Sequence, residues 1–141
     1  MAQNIPAKVP KVIKFDAIGS ATEGFLFSTQ AAEKVPFSVR RTFWLQGVPE
    51  NYTRGHHAHY TTQEVLIPLQ GSIIVTTQSA AGEQIFTLDY PDAGLYIPAL
   101  CWVTLNFSPE ALLLCLASTD YNEKDYIRDY EEFRRICLAS G

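Results

Sequence analysis

Apolar residues come in short runs along this chain, and the runs recur about every 8 to 12 residues with Gly, Pro, Asn or Asp between them, the rhythm of a β-sandwich or barrel. The pattern predicts strands at Lys11–Phe15, Gly24–Ser28, Phe37–Leu45, Gly55–His59, Glu64–Leu69, Ser72–Thr77, Glu83–Leu88, Gly94–Ile97, Val103–Phe107 and Leu112–Ala117. Two hairpins are expected. One turns at Gln70-Gly71 between Glu64–Leu69 and Ser72–Thr77, and the other joins Ser72–Thr77 to Glu83–Leu88 through Gln78–Gly82. One stretch departs from the rhythm. In Asn122–Leu138, Tyr126, Tyr130, Phe133 and Cys137 fall at spacings of 4, 3 and 4, one face of a helix. Asn122 or Asp120 is positioned to cap it, and Arg134 and Arg135 suit its C-terminal end. The expectation is a single all-β domain over residues 1–141, with a C-terminal α-helix packed on its outside.

Composition narrows the function. The chain has 141 residues, 47% hydrophobic and 12% aromatic, with a net charge of −4. No basic block is present, so nucleic acid is not an expected partner. No apolar run approaches the ~18 residues of a membrane span, and MAQNIPAKVPKVIKF lacks the apolar region of a secretory signal. Cys101, Cys115 and Cys137 have no CxxC spacing and read as reduced thiols of a cytoplasmic protein.

All three histidines fall in Arg54-Gly55-His56-His57-Ala58-His59. On a strand, His57 and His59 share one face and His56 points to the other. Two inward imidazoles suit either of two tasks. With an unperturbed pKa near 6.5, they can take and return protons at neutral pH, one handling a carbon-bound proton and the other a hydroxyl proton. They can also bind metal. His57-x-His59, then Glu64 and Gly71, resembles the first motif of the cupin superfamily, whose metal-binding members use these positions as ligands. The further histidine that such members carry on a later strand corresponds to Val103 here.

More of the chain carries a closer resemblance. Pro36–Arg41, Arg54–His59, Gly71-Ser72, Gly94–Pro98 with Trp102, Leu116–Ser118 and Tyr121–Tyr130 together resemble the nucleotide-sugar 3,4-ketoisomerases, cupin-fold enzymes acting on dTDP-4-keto-6-deoxyglucose. The similarity spans about Lys11 to Ile136. It implies a cupin-type jelly-roll β-barrel, with no cofactor and no metal. The implied reaction moves a carbonyl from C4 to C3 on the way to 3-amino-3,6-dideoxyhexoses of bacterial surface glycans such as O-antigen and S-layer chains. His57 and His59 match the family's proton-transfer pair, and Arg41 and Arg54 its arginines. The family enzymes are homodimers that exchange N-terminal strands.

Within that frame, Arg41 and Arg54 are candidates for the diphosphate, and Trp44, Tyr96 and Trp102 for stacking on thymine or covering the pyranose. The chain also departs from the family. Glu64 stands where many members have Gln, and Val103 follows Trp102 where His or Arg is usual. Phe43 or Trp44 replaces a tyrosine, and Glu23 lies where Arg or Tyr is common. Two other readings stay open. One is a metal-dependent cupin enzyme on His57, His59 and Glu64. The other is a binding module for nucleotide sugars that performs no catalysis.

Overall fold

The computed structural model describes residues 8–30 and 34–140. Twelve strands are numbered in chain order. They are β1 (Lys11–Lys14), β2 (Asp16–Ser20), β3 (Gly24–Ser28), β4 (Arg41–Gln46), β5 (Thr53–His59), β6 (Glu64–Gln70), β7 (Ile73–Ser79), β8 (Gly82–Leu88), β9 (Ala93–Ile97), β10 (Trp102–Phe107), β11 (Leu112–Ala117) and β12 (Tyr126–Ile127). A 3₁₀ turn covers Glu123–Asp125, and helix α1 runs from Tyr130 to Ser140.

Two five-stranded antiparallel sheets face each other in a jelly-roll arrangement, and they are not closed into one continuous barrel. The first has the order β1-β9-β6-β11-β4 and the second β12-β5-β10-β7-β8. Period-2 alternation builds the core between them. Leu66, Leu95, Val103, Leu105, Leu113 and Cys115 point inward and are buried. The residues between them in sequence point outward. Ile13, Phe15, Val65, Ile67 and Tyr96 form a second cluster on the outer face of the first sheet.

The hairpin expected at Gln70-Gly71 does not form. β6 pairs with β9 and β11, whereas β7 pairs with β8 and β10, so Gly71 carries the chain from one sheet to the other. A Cβ there would stand 2.7 Å from the Cα of Ala111, at a φ of +70°, which only glycine accepts comfortably. The second expected hairpin, β7–β8, is present, with Ser79 opposite Gly82.

The helix is shorter than its periodicity suggests. It begins at Tyr130, where the Asp129 side chain accepts from the N–H of Glu131. Asn122 caps the 3₁₀ turn instead, accepting from the N–H of Lys124. Two pulls keep residues 122–128 out of the helix. The Asp125 carboxylate is drawn onto Thr61 and Thr62, and Tyr126-Ile127 pairs with His59 and Ala58 as a short edge strand. Tyr130 and Phe133 do pack inward as the spacing implies, against Trp102.

β2 and β3 form a separate two-stranded sheet. Their apolar side chains stand in solvent, with Ile18 70% and Leu26 58% exposed. β2 was absent from the expected strands because Asp16–Ser20 lacks a run of β-branched or aromatic residues. Phe37–Leu45, expected to be extended throughout, is a strand only from Arg41 onward.

Candidate active site

The site is built on a defect in β5. Along β10, Val103 pairs with His57, but the next residue, Thr104, pairs with Gly55, so His56 is an extra residue with no partner. Gly55 (φ +92°) and His56 (φ +56°) both take left-handed backbone to make this bulge. The consequence is a change of face. In a regular strand Arg54 and His57 would point to opposite sides. With one residue bulged out, Arg54 lies opposite inward-facing Leu105 and His57 opposite inward-facing Val103. Both therefore line one cavity of about 190 Å³ between the sheets. His56 turns outward, and its Nε2 meets the Thr53 hydroxyl at 2.8 Å.

His57 and His59 sit side by side in edge-to-face orientation, ring centres 5.0 Å apart. His57 Nδ1 donates to the Gly55 carbonyl at 3.1 Å, since a carbonyl only accepts. That bond fixes the tautomer and leaves Nε2 as the acceptor. Burial is the main cause that lowers the pKa of His57, and the Gly55 bond works against it. Burial and the neighbouring His57 hold His59 further down, to about 3. Both rings are thus neutral at pH 7. His59 Nε2 is buried with no hydrogen-bond partner.

Glu64, at the start of β6, faces the same cavity and is 5% exposed. Burial pushes its pKa up to about 7, opposed by the charge of Arg41. Donor atoms of His57, His59 and Glu64 all lie within 4.8 Å of one another, a set whose chemistry fits a divalent cation. Cys115 also lines the cavity, but burial raises its thiol well above the ordinary range, which makes it a poor nucleophile.

Of the other sequence candidates, Arg41 shares the inward phase of Phe43 and Leu45 on β4, and the three aromatic ones lie elsewhere. Arg41 is half-buried beside Phe43 and Tyr121, its guanidinium 5.2 and 5.4 Å from their ring centres. It acts on the site through its charge. Trp44 is 66% exposed and points outward from β4, whereas its neighbours Phe43 and Leu45 line the cavity. Tyr96 is buried on the outer face of the first sheet, donating its hydroxyl to Gln63 at 2.6 Å. Trp102 is buried against the helix. Alternation explains all three: each is one residue out of phase with the inward positions.

Two residues that the sequence reading placed on a helix line the cavity instead. Tyr126 packs against both imidazoles, with ring centres 4.4 Å from His59 and 5.1 Å from His57. Arg128 lies over the Tyr126 ring at 4.3 Å. It is the Asp125 anchor, invisible to a periodicity count, that brings them there.

The family model described as FdtA, WxcM-like, C-terminal, matches residues 8–137. The chain belongs to this family. A relative from Aneurinibacillus thermoaerophilus, a TDP-4-oxo-6-deoxy-alpha-D-glucose-3,4-oxoisomerase, is 35% identical over 126 residues, 89% of this chain and 90% of its own. The 3,4-ketoisomerase QdtA of Thermoanaerobacterium thermosaccharolyticum, solved as a histidine-to-asparagine variant with TDP-4-keto-6-deoxyglucose, superimposes with a TM-score of 0.87 at 32% identity. That match covers 92% of this chain and 94% of QdtA. The WlaRB TDP-quinovose 3,4-ketoisomerase of Campylobacter jejuni superimposes with a TM-score of 0.84 at 35% identity, covering 92% and 99%. This FdtA-type chain therefore shares its fold over nearly its whole length with sugar 3,4-ketoisomerases.

Proposed function

We propose that the protein is a 3,4-ketoisomerase that converts TDP-4-keto-6-deoxyglucose to the 3-keto sugar, by proton transfer through an enediol. The observation that carries the reading is the pair of neutral, adjacent imidazoles, His57 lining a cavity between the sheets and His59 packed edge-to-face beside it, in a chain of this family.

The chemistry needs two proton movements. The C4 carbonyl acidifies the C3 hydrogen. A base removes that hydrogen as the C4 oxygen gains a proton, giving the enediol. The C3 hydroxyl then gives up its proton while C4 receives one, leaving a C3 carbonyl and a C4 hydroxyl. Carbon and oxygen protons are both conserved, and no oxidant enters. His57 is suited to the carbon proton because Gly55 holds Nδ1 protonated and leaves Nε2 free. His59, with its unpartnered Nε2, is suited to the hydroxyl protons. Arg54 lines the same cavity and supplies positive charge for a diphosphate.

A metal-assisted form of the same isomerisation is the second reading, favoured by the donor set of His57, His59 and Glu64. A cation held there would polarise the sugar carbonyl. Incubation with TDP-4-keto-6-deoxyglucose, with NMR of the product, tests the assignment. A 3-keto product supports it, and unchanged substrate under conditions where a known ketoisomerase turns over would sink it.

A homodimer completes the proposal. β1 and β4 are the edges of the first sheet, and edges invite a partner strand. Beside them, an apolar cavity of about 440 Å³ is lined by Phe27, Ile67, Leu69 and Leu114, with the exposed β2–β3 hairpin adjoining it. A second copy exchanging its N-terminal strands would cover these surfaces. Light scattering at micromolar concentration should give twice the chain mass; a monomer would count against it. No helix of the described residues is long and apolar enough to cross a membrane. A nucleotide-sugar substrate and three free cysteines support a cytoplasmic setting.

A further inference from the structure

The segment Tyr121–Arg128 is built more carefully than a surface connection requires. Its middle is anchored to the end of the histidine strand. Asp125 accepts from the backbone N–H groups of Thr61 and Thr62, each at 3.0 Å, and from both hydroxyls. Tyr126 pairs in register with His59. Backbone anchoring sets where Tyr126 starts but leaves its ring to find an orientation. Arg128 supplies that. It lies over the ring at 4.3 Å, and Glu123 grips it with both oxygens, Nε at 2.6 Å and Nη2 at 3.0 Å. Tyr121 donates its hydroxyl to the same carboxylate at 2.7 Å, and its ring lies 5.7 Å from that of Tyr126. The grip holds the Glu123 carboxylate down to about 2, so it stays charged across the working range.

Stability does not account for this arrangement. Arg128 and Glu123 are each more than half exposed, and exposed pairs contribute little to folding. What the fork-to-carboxylate geometry does fix is direction. The ring it fixes is the one in contact with both imidazoles.

We infer that Arg128, clamped by Glu123, is a positioning residue for the isomerisation: acting through Tyr126, it sets the orientation of His57 and His59. The inference rests on the reading of those histidines as the proton-transfer pair. A base misplaced by a fraction of an ångström loses rate without losing substrate affinity.

The test uses the full chain and three substitutions. Arg128→Met removes the fork and keeps the stem, Arg128→Lys keeps the charge without the bidentate geometry, and Glu123→Gln weakens the grip from a residue outside the cavity. Arg128→Met should lower kcat for TDP-4-keto-6-deoxyglucose by about 10- to 100-fold while KM changes by less than about threefold. Glu123→Gln should act in the same direction more weakly, and Arg128→Lys should recover part of the loss. A second readout needs no turnover. The imidazole C–H protons of His57 and His59 lie near the Tyr126 ring and feel its ring current, so their NMR shifts should move in Arg128→Met and stay in place in a His56→Asn control. A raised KM with kcat intact would overturn the inference and make Arg128 a substrate ligand only. Unmoved imidazole signals in both Arg128 variants would overturn it as well. Should the wild type fail to turn over this substrate, the functional reading falls, and the imidazole shifts still decide whether Arg128 orients the pair.

Discussion

The carbonyl oxygen of Val103 lies 2.7 Å from where a Cβ on Gly55 would stand. That closeness, with a φ of +92°, makes Gly55 the hinge of the bulge that turns Arg54 and His57 to the same side. Gly55→Ala should therefore cost twice. Stability should fall by about 1–3 kcal/mol from the forced backbone and the contact. Activity should fall further than stability explains, because flattening the bulge reverses the face of Arg54. Urea melts beside kcat at a temperature where the variant stays folded separate the two. Equal activity in the folded variant would show that the bulge does not aim the site.

The histidines should separate by face. His57→Asn and His59→Asn should each cost about 10²–10⁴ in kcat, since Asn bonds to the sugar but moves no proton at neutral pH. His56→Asn, turned outward onto Thr53, should change kcat less than about threefold. Solvent deuterium incorporation assigns the roles: the variant lacking the carbon base should lose exchange at C3. Near wild-type turnover in both His57 and His59 variants would make the pair structural.

Two buried groups set opposing pH slopes on stability. Glu64 is raised from 4.5 to about 7. Between those values the folded chain holds a proton that the unfolded chain has released, so stability falls as pH rises, by about 3 kcal/mol in all. His59 is lowered from 6.5 to about 3, so the unfolded chain binds the extra proton and stability falls as pH drops below 6.5. From about 4.5 to 6.5 these two slopes oppose each other, and the lowered His57 adds to that of His59. Glu64→Gln should remove one of them. The variant should be more stable than wild type at pH 8, and between pH 6.5 and 5 it should lose about 2 kcal/mol more than wild type does. Denaturant melts at pH 5, 6.5 and 8 check this. Parallel curves for the two proteins would show that Glu64 ionises normally.

Turnover should survive a chelator. Arg41 places a positive charge that acts on both Glu64 and His59, which opposes a second cation. Val103, which the sequence resemblance sets at the later-strand ligand position of metal-binding cupins, is apolar and buried. Dialysis against EDTA should leave kcat within about twofold of the untreated value. Activity lost to EDTA and restored by one metal would assign His57, His59 and Glu64 as its ligands.

Most of the sheet architecture was legible because alternation repeats along each strand. Leu112–Ala117 is a strand as the pattern predicts, and Gly94–Ile97 is short by one residue. The facing of His57, His59 and Glu64 was legible for the same reason. Pairing across the two sheets was not. Gln70-Gly71 looks like a hairpin turn locally, and only the competition of β9 and β11 for β6 sends the chain across. The aromatic candidates Trp44, Tyr96 and Trp102 fall one residue out of phase with the positions that line the cavity. Tyr126 escapes the pattern because its spacing to Tyr130 fits a helix, while a carboxylate one residue earlier bonds to threonines 63 and 64 positions away.

Those long-range bonds from Asp125 to Thr61 and Thr62 also order events during synthesis. The ribosome releases the histidine strand well before the residue that fastens its end. A chain made from its N-terminus holds the residues of β5 and β10 before it holds Tyr126, so His57 and His59 gain that neighbour after the strands that flank them.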